Sequence, residues 1–210
     1  MQKRVLTSMA VTAALGASVA MLPAVPATAA TGQRSLAAVL AADGHGFDRK
    51  WRDFDILDNA VSAVLAAKPN SAVKVLADGS QPLTAFLPTD RAFRRLVTDL
   101  TGKRPRTEKG TFTKLAAAAG VDTIEKVLLY HVVPGATIRY AQARRSDGAV
   151  LTTAAGLPLR VNVRRHGRIA LQDRDPDDAN AVIQRSGRNI NKGNRQIGHA
   201  ISHVLRPADL

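Results

Sequence analysis

The sequence predicts an α+β fold, because its first half has the periodicity of helices and its second half that of strands. Between residues 55 and 131, apolar residues recur every three or four positions, as the buried face of a helix requires. After Pro134, apolar and polar residues alternate, as in a half-buried strand. No internal repeat is visible in the 210 residues, so one domain is enough to account for the patterned part of the chain.

The predicted elements follow from these two periodicities and from the residues that interrupt them. Asp55 and Asp58 have the spacing of a capping box at the start of the first long helix, and Gly120 is expected to end a later one. In chain order we predict a helix from Asp55, a strand over 83–87, a helix capped by Thr89, helices over 112–119 and 122–131, and strands over 150–153, 157–163, 169–171, 181–183 and 197–205.

The beginning of the chain has the pattern of a secretory signal peptide. Lys3 and Arg4 precede a long uncharged stretch rich in Ala, Val and Leu, and the small residues 27–30 follow it. This order predicts export, with cleavage after Ala29 or Ala30.

We therefore divide the chain into three segments. These are a signal peptide over 1–30, a lead-in segment over 31–52 in which residues 36–40 fit a short helix, and a globular domain over 53–207. No second stretch of about twenty apolar residues follows the signal, so we expect a protein that does not span the membrane after cleavage. The expected location is secreted, extracellular or associated with the cell wall.

Composition and charge exclude several classes of protein. The chain has no cysteine, which excludes a disulfide scaffold, a cysteine nucleophile and a thiolate zinc site. Loss of the signal peptide lowers the net charge only from +13 to +11. Such an excess would suit nucleic acid, but aromatic residues make up only 4% of the chain and none lies within the two basic clusters, 160–168 and 185–195. With export also predicted, we expect no nucleic-acid partner.

The two basic clusters are expected to form a basic rim on the sheet, with Arg164, Arg165 and Arg168 as its candidate interaction residues. A rim of this kind would attract anionic wall polymers, acidic lipids or acidic glycans in a salt-dependent way. The alternative is a solvated face without a partner.

Two histidines and an acidic loop are incomplete matches to metal sites. His199 and His203 have the spacing of a helical zinc pair, but the stretch has the pattern of a strand and lacks the glutamate of a metalloprotease. Within the acidic loop 173–178, Asp178 replaces the glycine that a calcium loop needs, and Gln184 replaces its last ligand. We predict no metal and no cofactor, and leave open whether the loop binds calcium.

The sequence shows no recognisable catalytic motif, such as a nucleophile elbow or a phosphate-binding glycine loop. We therefore predict no catalytic residues and no enzymatic activity. His131 follows Tyr130 at the end of an apolar helix, and we expect both side chains to fix that helix end to the sheet through hydrogen bonds.

Four stretches, in order, resemble the landmarks of the fasciclin domain family. They are a helix start at 55–57 (DIL), a strand, Pro-Thr turn and helix start at 84–93 (TAFLPTDRAF), a Tyr-His motif at 128–135 (LLYHVVPG) and a closing box at 197–207 (IGHAISHVLRP). The motif residues are Thr84, Phe86, Pro88, Thr89, Phe93, Pro134, Gly135 and His199. Three features depart from the family: Arg195-Gln196 where Asn-Gly is usual, Ser202 where Asp is common, and an enlarged connection at 101–110.

The resemblance implies a secreted bacterial fasciclin-domain protein in which a wedge of β-strands packs against a layer of helices. It implies an adhesion or interaction module without catalytic residues, whose partner is a cell-surface or extracellular-matrix component. The family's receptor-binding segment maps onto Tyr130 and His131 with the neighbouring Leu128, Leu129 and Val132. Two alternatives are a carrier of an apolar ligand such as a lipid, in a groove between helices and sheet, and a hydrolase of wall polymers. The sequence predicts no oligomeric state.

Overall fold

The computed structural model describes residues 32–208, so the predicted signal peptide lies outside the described part of the chain. The α+β class is confirmed. The helices are α1 (Leu36–Leu40), α2 (Asp55–Ala67), α3 (Asp90–Thr101), α4 (Glu108–Tyr130) and α5 (Tyr140–Ala143), and the strands are β1 (Leu83–Pro88), β2 (Val132–Pro134), β3 (Val150–Thr152), β4 (Pro158–Arg164), β5 (Arg168–Gln172), β6 (Ala181–Val182) and β7 (Gln196–Ile201). Within residues 32–208, no helix has the length and apolar composition that crossing a membrane requires.

The strands form two sheets. In the first, β1 lies between β2, which is antiparallel to it, and β7, which is parallel to it. The second sheet has the antiparallel order β3-β4-β5-β6. A bridge between Ile183 and Ile201 connects the two sheets at one edge. The chain therefore brings its first and last motif boxes together, because Phe86 of β1 pairs with His199 of β7.

Strand β1 separates two hydrophobic cores. Every residue of β1 is buried, as expected for a strand covered on both faces. Ala85 and Leu87 pack into the core beneath the helices, whereas Phe86 packs into the core of the second sheet. This alternation follows from the period of two along a strand, and it makes the first sheet the middle layer of the molecule.

Helix α4 is broken at Gly120, where φ is 68° and ψ is 168°. The sequence predicted one helix on each side of this glycine, and the break confirms that prediction. The first half begins earlier than predicted, at Glu108, because the side chain of Thr107 accepts a hydrogen bond from the Gly110 amide at 3.1 Å.

Other local predictions were wrong in detail. Asp55 does not cap α2, since Phe54 holds the capping position and the Asp55 carboxylate accepts a hydrogen bond from the Asp48 amide. Strand β7 ends at Ile201, four residues before the predicted end. The short elements β2 and α5 were not predicted at all.

The described part of the lead-in segment packs against the domain. Leu36 is fully buried, and its amide donates to the side-chain oxygen of Gln196 at 2.8 Å. Gly79 lies so close to this segment that a Cβ atom there would be 1.7 Å from the Gln33 carbonyl oxygen. Residues 32–40 are therefore part of the folded unit.

We expect Leu36→Ala to lower the free energy of unfolding by about 3 kcal/mol, because it opens a cavity in the helical core. Leu100→Ala is the matched control, since Leu100 is 44% exposed and its truncation should cost less than about 1 kcal/mol. Urea unfolding of both variants measures the difference. Equal losses would show that the lead-in contributes nothing to the core.

Candidate functional site

Tyr130, the last residue of α4, is completely buried. Its hydroxyl donates to the carbonyl oxygen of Pro158 in β4 at 2.9 Å. Burial raises the pKa of Tyr130 to about 12, and the nearby negative charge of Asp173 acts in the same direction. Tyr130 therefore stays protonated and connects the helical layer to the second sheet.

His131 is also buried, and both of its ring nitrogens are used. Nδ1 donates to the Val127 carbonyl oxygen at 2.7 Å, and Nε2 accepts from the Leu205 amide at 2.9 Å. Its own carbonyl oxygen accepts from the Phe86 amide in β1. Burial lowers the pKa of His131 to about 4, so the ring is neutral at pH 7. The expectation that both side chains fix the helix end to the sheet is confirmed for Tyr130, whereas His131 bonds to β1 through its backbone and its ring holds the segment after β7.

The residues around this pair are mostly inaccessible from outside. Leu128 and Val132 belong to the helical core, and Leu129 is only partly exposed. The exposed end of the motif is the turn at Pro134 and Gly135, where Gly135 has φ of 78° and donates to the Pro82 carbonyl oxygen. On this face Leu129 and the turn are accessible from outside, and the rings of Tyr130 and His131 are not.

Six further motif residues are buried and contribute to the packing of the domain. They are Thr84, Phe86, Pro88, Thr89, Phe93 and His199. The Thr84 hydroxyl donates to the Ala136 carbonyl oxygen and accepts from the Ile138 amide. His199 lies between the rings of Phe86 and Tyr140, and its Nε2 donates to the Ile138 carbonyl oxygen at 2.8 Å. Burial lowers the pKa of His199.

His199 and His203 do not form a metal pair. His199 lies within β7, with its ring in the core, whereas His203 follows the strand and contacts Ser202 through Nδ1 at 3.0 Å. Because the stretch is extended, the spacing of four residues does not place the two rings side by side.

A cleft of roughly 830 Å³ lies on the second sheet and is strongly basic. It brings together Arg168 from the first basic cluster with Arg185 and Arg188 from the second. Its other lining residues are His166, Val182, Ile183, Gln184, Ser186, Ser202 and His203. Among the residues that the structure describes, none that lines this cleft is acidic.

Arg188 is held in place within this cleft. Its guanidinium lies 3.8 Å from the centre of the Tyr140 ring, at a distance typical of a cation–π contact. Its Nε is shielded from solvent and has no hydrogen-bond partner in the described structure. Arg164 and Arg165 are exposed and immediately precede His166 in the turn between β4 and β5.

The acidic loop 173–178 is held by ion pairs to Arg206. Its guanidinium contacts Asp175 at 3.0 Å and Asp178 at 3.3 Å, and it also reaches Asp99 at 3.0 Å. The Arg206 amide donates to the Asp173 carboxylate at 2.8 Å. An arginine thus occupies the position that a cation would take among these carboxylates.

A different acidic cluster has no such arginine, and sequence reasoning missed it. One carboxylate oxygen each from Asp53, Asp90 and Glu108 lies within 4.8 Å of the other two. Asp90 and Glu108 are buried, and burial followed by the proximity of Asp53 raises the pKa of Asp90. The three residues are far apart in the sequence, so no local motif could have revealed them.

An apolar groove of roughly 380 Å³ runs between α3 and the two halves of α4. Its lining residues are Ala60, Phe93, Leu96, Leu100, Leu115, Ala118, Ala119, Thr123, Ile124, Val127 and Leu128. It differs in place from the predicted groove, since it lies among the helices and not between helices and sheet.

Comparison with known proteins decides the family. The family model of the fasciclin domain matches residues 58–207. The chain belongs to the fasciclin domain family. A FAS1 domain pair from the insect cell adhesion molecule fasciclin I is similar at 16% identity and a TM-score of 0.49, over 73% of this chain and 48% of the pair. The chain thus spans about half the length of that pair. A search of curated proteins found no match.

Two residues that depart from the usual fasciclin pattern, Gln196 and Ser202, form hydrogen bonds in the structure. Gln196 is fully buried, and its amide nitrogen donates to the carbonyl oxygens of Val75 and Asp78, each at 2.7 Å. Together with its bond to Leu36, these contacts fix α1 to this fasciclin domain. The Ser202 hydroxyl accepts from the Val182 amide at 3.0 Å and so connects the end of β7 to β6.

We expect a pH-dependent difference in stability between this fasciclin domain and its His131→Gln variant. Because the pKa of His131 falls from 6.5 to about 4 on folding, its contribution is complete above pH 6.5 and is lost as the pH falls toward 4. The stability difference between the two proteins should therefore shrink by about 3 kcal/mol over that range. Urea unfolding of both proteins from pH 7.5 to pH 4 measures it, and a constant difference would contradict the assignment.

Proposed function

We propose that this fasciclin domain is a secreted or cell-surface-associated adhesion module, without catalytic activity, that contacts anionic polymers of the envelope or matrix through its basic cleft. Fasciclin domains typically mediate adhesion and interaction with extracellular components. The observation that carries the more specific proposal is the meeting of Arg168, Arg185 and Arg188 in one cleft.

The chemistry of the cleft favours an anionic partner. Positive groups on low-dielectric walls reinforce one another's field and raise the local concentration of anions. Guanidinium groups also suit carboxylate and phosphate, because their N–H donors match two oxygens at once. Arg188 is already ordered by Tyr140, so less side-chain freedom is lost when it binds.

The same cleft gives no support to the hydrolase alternative. Hydrolysis of a glycosidic bond normally uses two carboxyl groups on either side of the bond. Within the described residues, the lining of the cleft offers arginines, histidines, serines and one glutamine, and no carboxylate. Binding without turnover is the activity that this arrangement favours.

Replacement of Arg168, Arg185 and Arg188 by Gln should weaken binding to isolated cell envelope at least about tenfold in 0.1 M NaCl, because each cation near an anionic surface contributes on the order of 1 kcal/mol. Binding of the unmodified protein should also fall steeply in 1 M NaCl, where the screening length drops from about 10 Å to about 3 Å. A co-sedimentation assay measures both effects.

The matched control replaces Lys109, Lys114 and Lys126 by Gln. It removes the same charge from exposed positions on α4 and leaves the cleft intact. If both triple variants lose binding equally, net charge and not the cleft is responsible. Binding that is insensitive to salt and to the arginine variant would contradict the proposal.

The second candidate function is binding of an apolar ligand, and the groove between α3 and α4 favours it. The groove is lined almost entirely by apolar side chains, including the half-exposed Leu100. Grooves of this size and composition are typical of sites for small apolar molecules.

Ala119→Phe should fill this groove and abolish uptake of a fluorescent fatty acid, because the added ring occupies the space that the ligand needs. Ala117→Phe is the matched control, since Ala117 is an exposed residue of α4 outside the lining. Native mass spectrometry of the exported protein detects any lipid that co-purifies. Equal uptake by the parent and both variants would rule the groove out.

A further inference from the structure

Three carboxylates converge where the lead-in segment meets the first turns of α3 and α4. Asp90 and Glu108 are the first residues of these helices and are only 0% and 1% exposed. Asp53 directly follows the lead-in and is half-buried, and its carbonyl oxygen accepts from the Asp90 amide at 3.1 Å. One oxygen from each carboxylate lies within 4.8 Å of the others.

Each carboxylate keeps one oxygen without a partner. Asp90 accepts from the Ile56 amide through Oδ1, which leaves Oδ2 buried and unbonded. Glu108 accepts from the Arg49 amide through Oε2, which leaves Oε1 buried and unbonded. Asp53 Oδ1 is in the same condition. Buried polar atoms are nearly always satisfied, so three in one cluster indicate a missing partner.

Burial and the neighbouring Asp53 carboxylate raise the pKa of Asp90 to about 9, so the place of the missing partner is taken by a proton or by a metal cation. The helix ends of α3 and α4 supply only about half a unit charge each, against three carboxylates. With Asp90 protonated, about one negative charge remains uncompensated. None of the ion pairs formed within residues 32–208 includes Asp90 or Glu108, in contrast to the acidic loop with its Arg206.

We propose that Asp53, Asp90 and Glu108 bind a divalent metal cation, and that Ca²⁺ fits them best. Ca²⁺ takes oxygen ligands at about 2.3–2.6 Å, so two of its ligands on opposite sides are about 4.6–5.2 Å apart and adjacent ligands are closer. The three carboxylate oxygens lie within 4.8 Å of one another, which is close enough for all three to reach one such ion. Mg²⁺ demands a stricter octahedron and gives up its water reluctantly, which suits a buried cluster less well.

Two more carboxylates adjoin the cluster on its open side, where Asp48 pairs with Lys50 and Asp55 accepts from the Asp48 amide. Asp53 also shares a second group with Asp48 and Asp55, whose carboxylate oxygens lie within 4.8 Å of its own. Asp48 is exposed, so water can complete the coordination from that side. A bound cation would connect the lead-in to two helices, in a part of the molecule separate from the basic cleft.

The test uses the exported protein stripped of metal with EDTA. We expect calorimetric titration with CaCl₂ to show one saturable site, and the melting temperature to rise by several degrees in Ca²⁺. At a Ca²⁺ concentration of 100 times Kd, the folding equilibrium constant should increase about 100-fold. MgCl₂ should bind at least tenfold more weakly.

Glu108→Gln and Asp53→Asn should each reduce Ca²⁺ affinity at least tenfold. In EDTA both variants should be as stable as the parent or more so, because each relieves repulsion among the buried carboxylates. Asp178→Asn is the matched control in the acidic loop and should leave Ca²⁺ affinity unchanged. Absence of saturable Ca²⁺ binding by the parent overturns the proposal, as does binding that survives in Glu108→Gln and Asp53→Asn but is lost in Asp178→Asn.

Discussion

Two adjacent buried side chains, Tyr130 and His131, connect the helical layer to both sheets, and the rest of the structure depends on this junction. Tyr130 reaches the second sheet through the Pro158 carbonyl oxygen, and His131 holds the segment after β7 through the Leu205 amide. The His131 backbone also bonds to β1, which separates the two cores. A buried polar group left without its partner costs about 1–3 kcal/mol. Any other packing of the layers would break these hydrogen bonds and would therefore be less stable.

This junction explains why the family motif and the candidate binding surfaces occupy different places. The buried motif residues position strands and helix ends, and their neutral, bonded state leaves no group for a partner to engage. The basic cleft is instead built from Arg168 at the start of β5 and from the turn that carries Arg185 and Arg188. Loops on a rigid scaffold tolerate change, so a common fasciclin framework can carry surfaces that differ from one protein to another.

Long periodic elements were predictable because their signal is repeated along the chain. The stripe in α2 and the alternation in β4 each rest on several residues, and the break in α4 was visible because Gly120 interrupts a helical pattern. By contrast, β2 has three residues and α5 has four, and such short elements form because neighbouring strands and bonds hold them. The basic residues of the cleft were visible in the sequence, but their meeting was not, since it requires β5, β6 and β7 to be placed side by side. The contact between Gln196 and Leu36 likewise depends on the complete fold.

The two acidic clusters show how differently one fold can treat buried negative charge. The acidic loop lies close to Arg206 in space, and this single side chain pairs with three aspartates because a guanidinium presents donors in several directions. Asp53, Asp90 and Glu108 lie at helix N-termini, where the backbone N–H groups of Ile56 and Arg49 satisfy only one oxygen of Asp90 and one of Glu108. Backbone amides orient these carboxylates but carry no full charge. The carboxylates are therefore held in place while part of their negative charge stays uncompensated. Because these carboxylates are already ordered, their side chains lose little conformational entropy when a cation binds. The three residues are far apart in the sequence, and no sequence motif connects them.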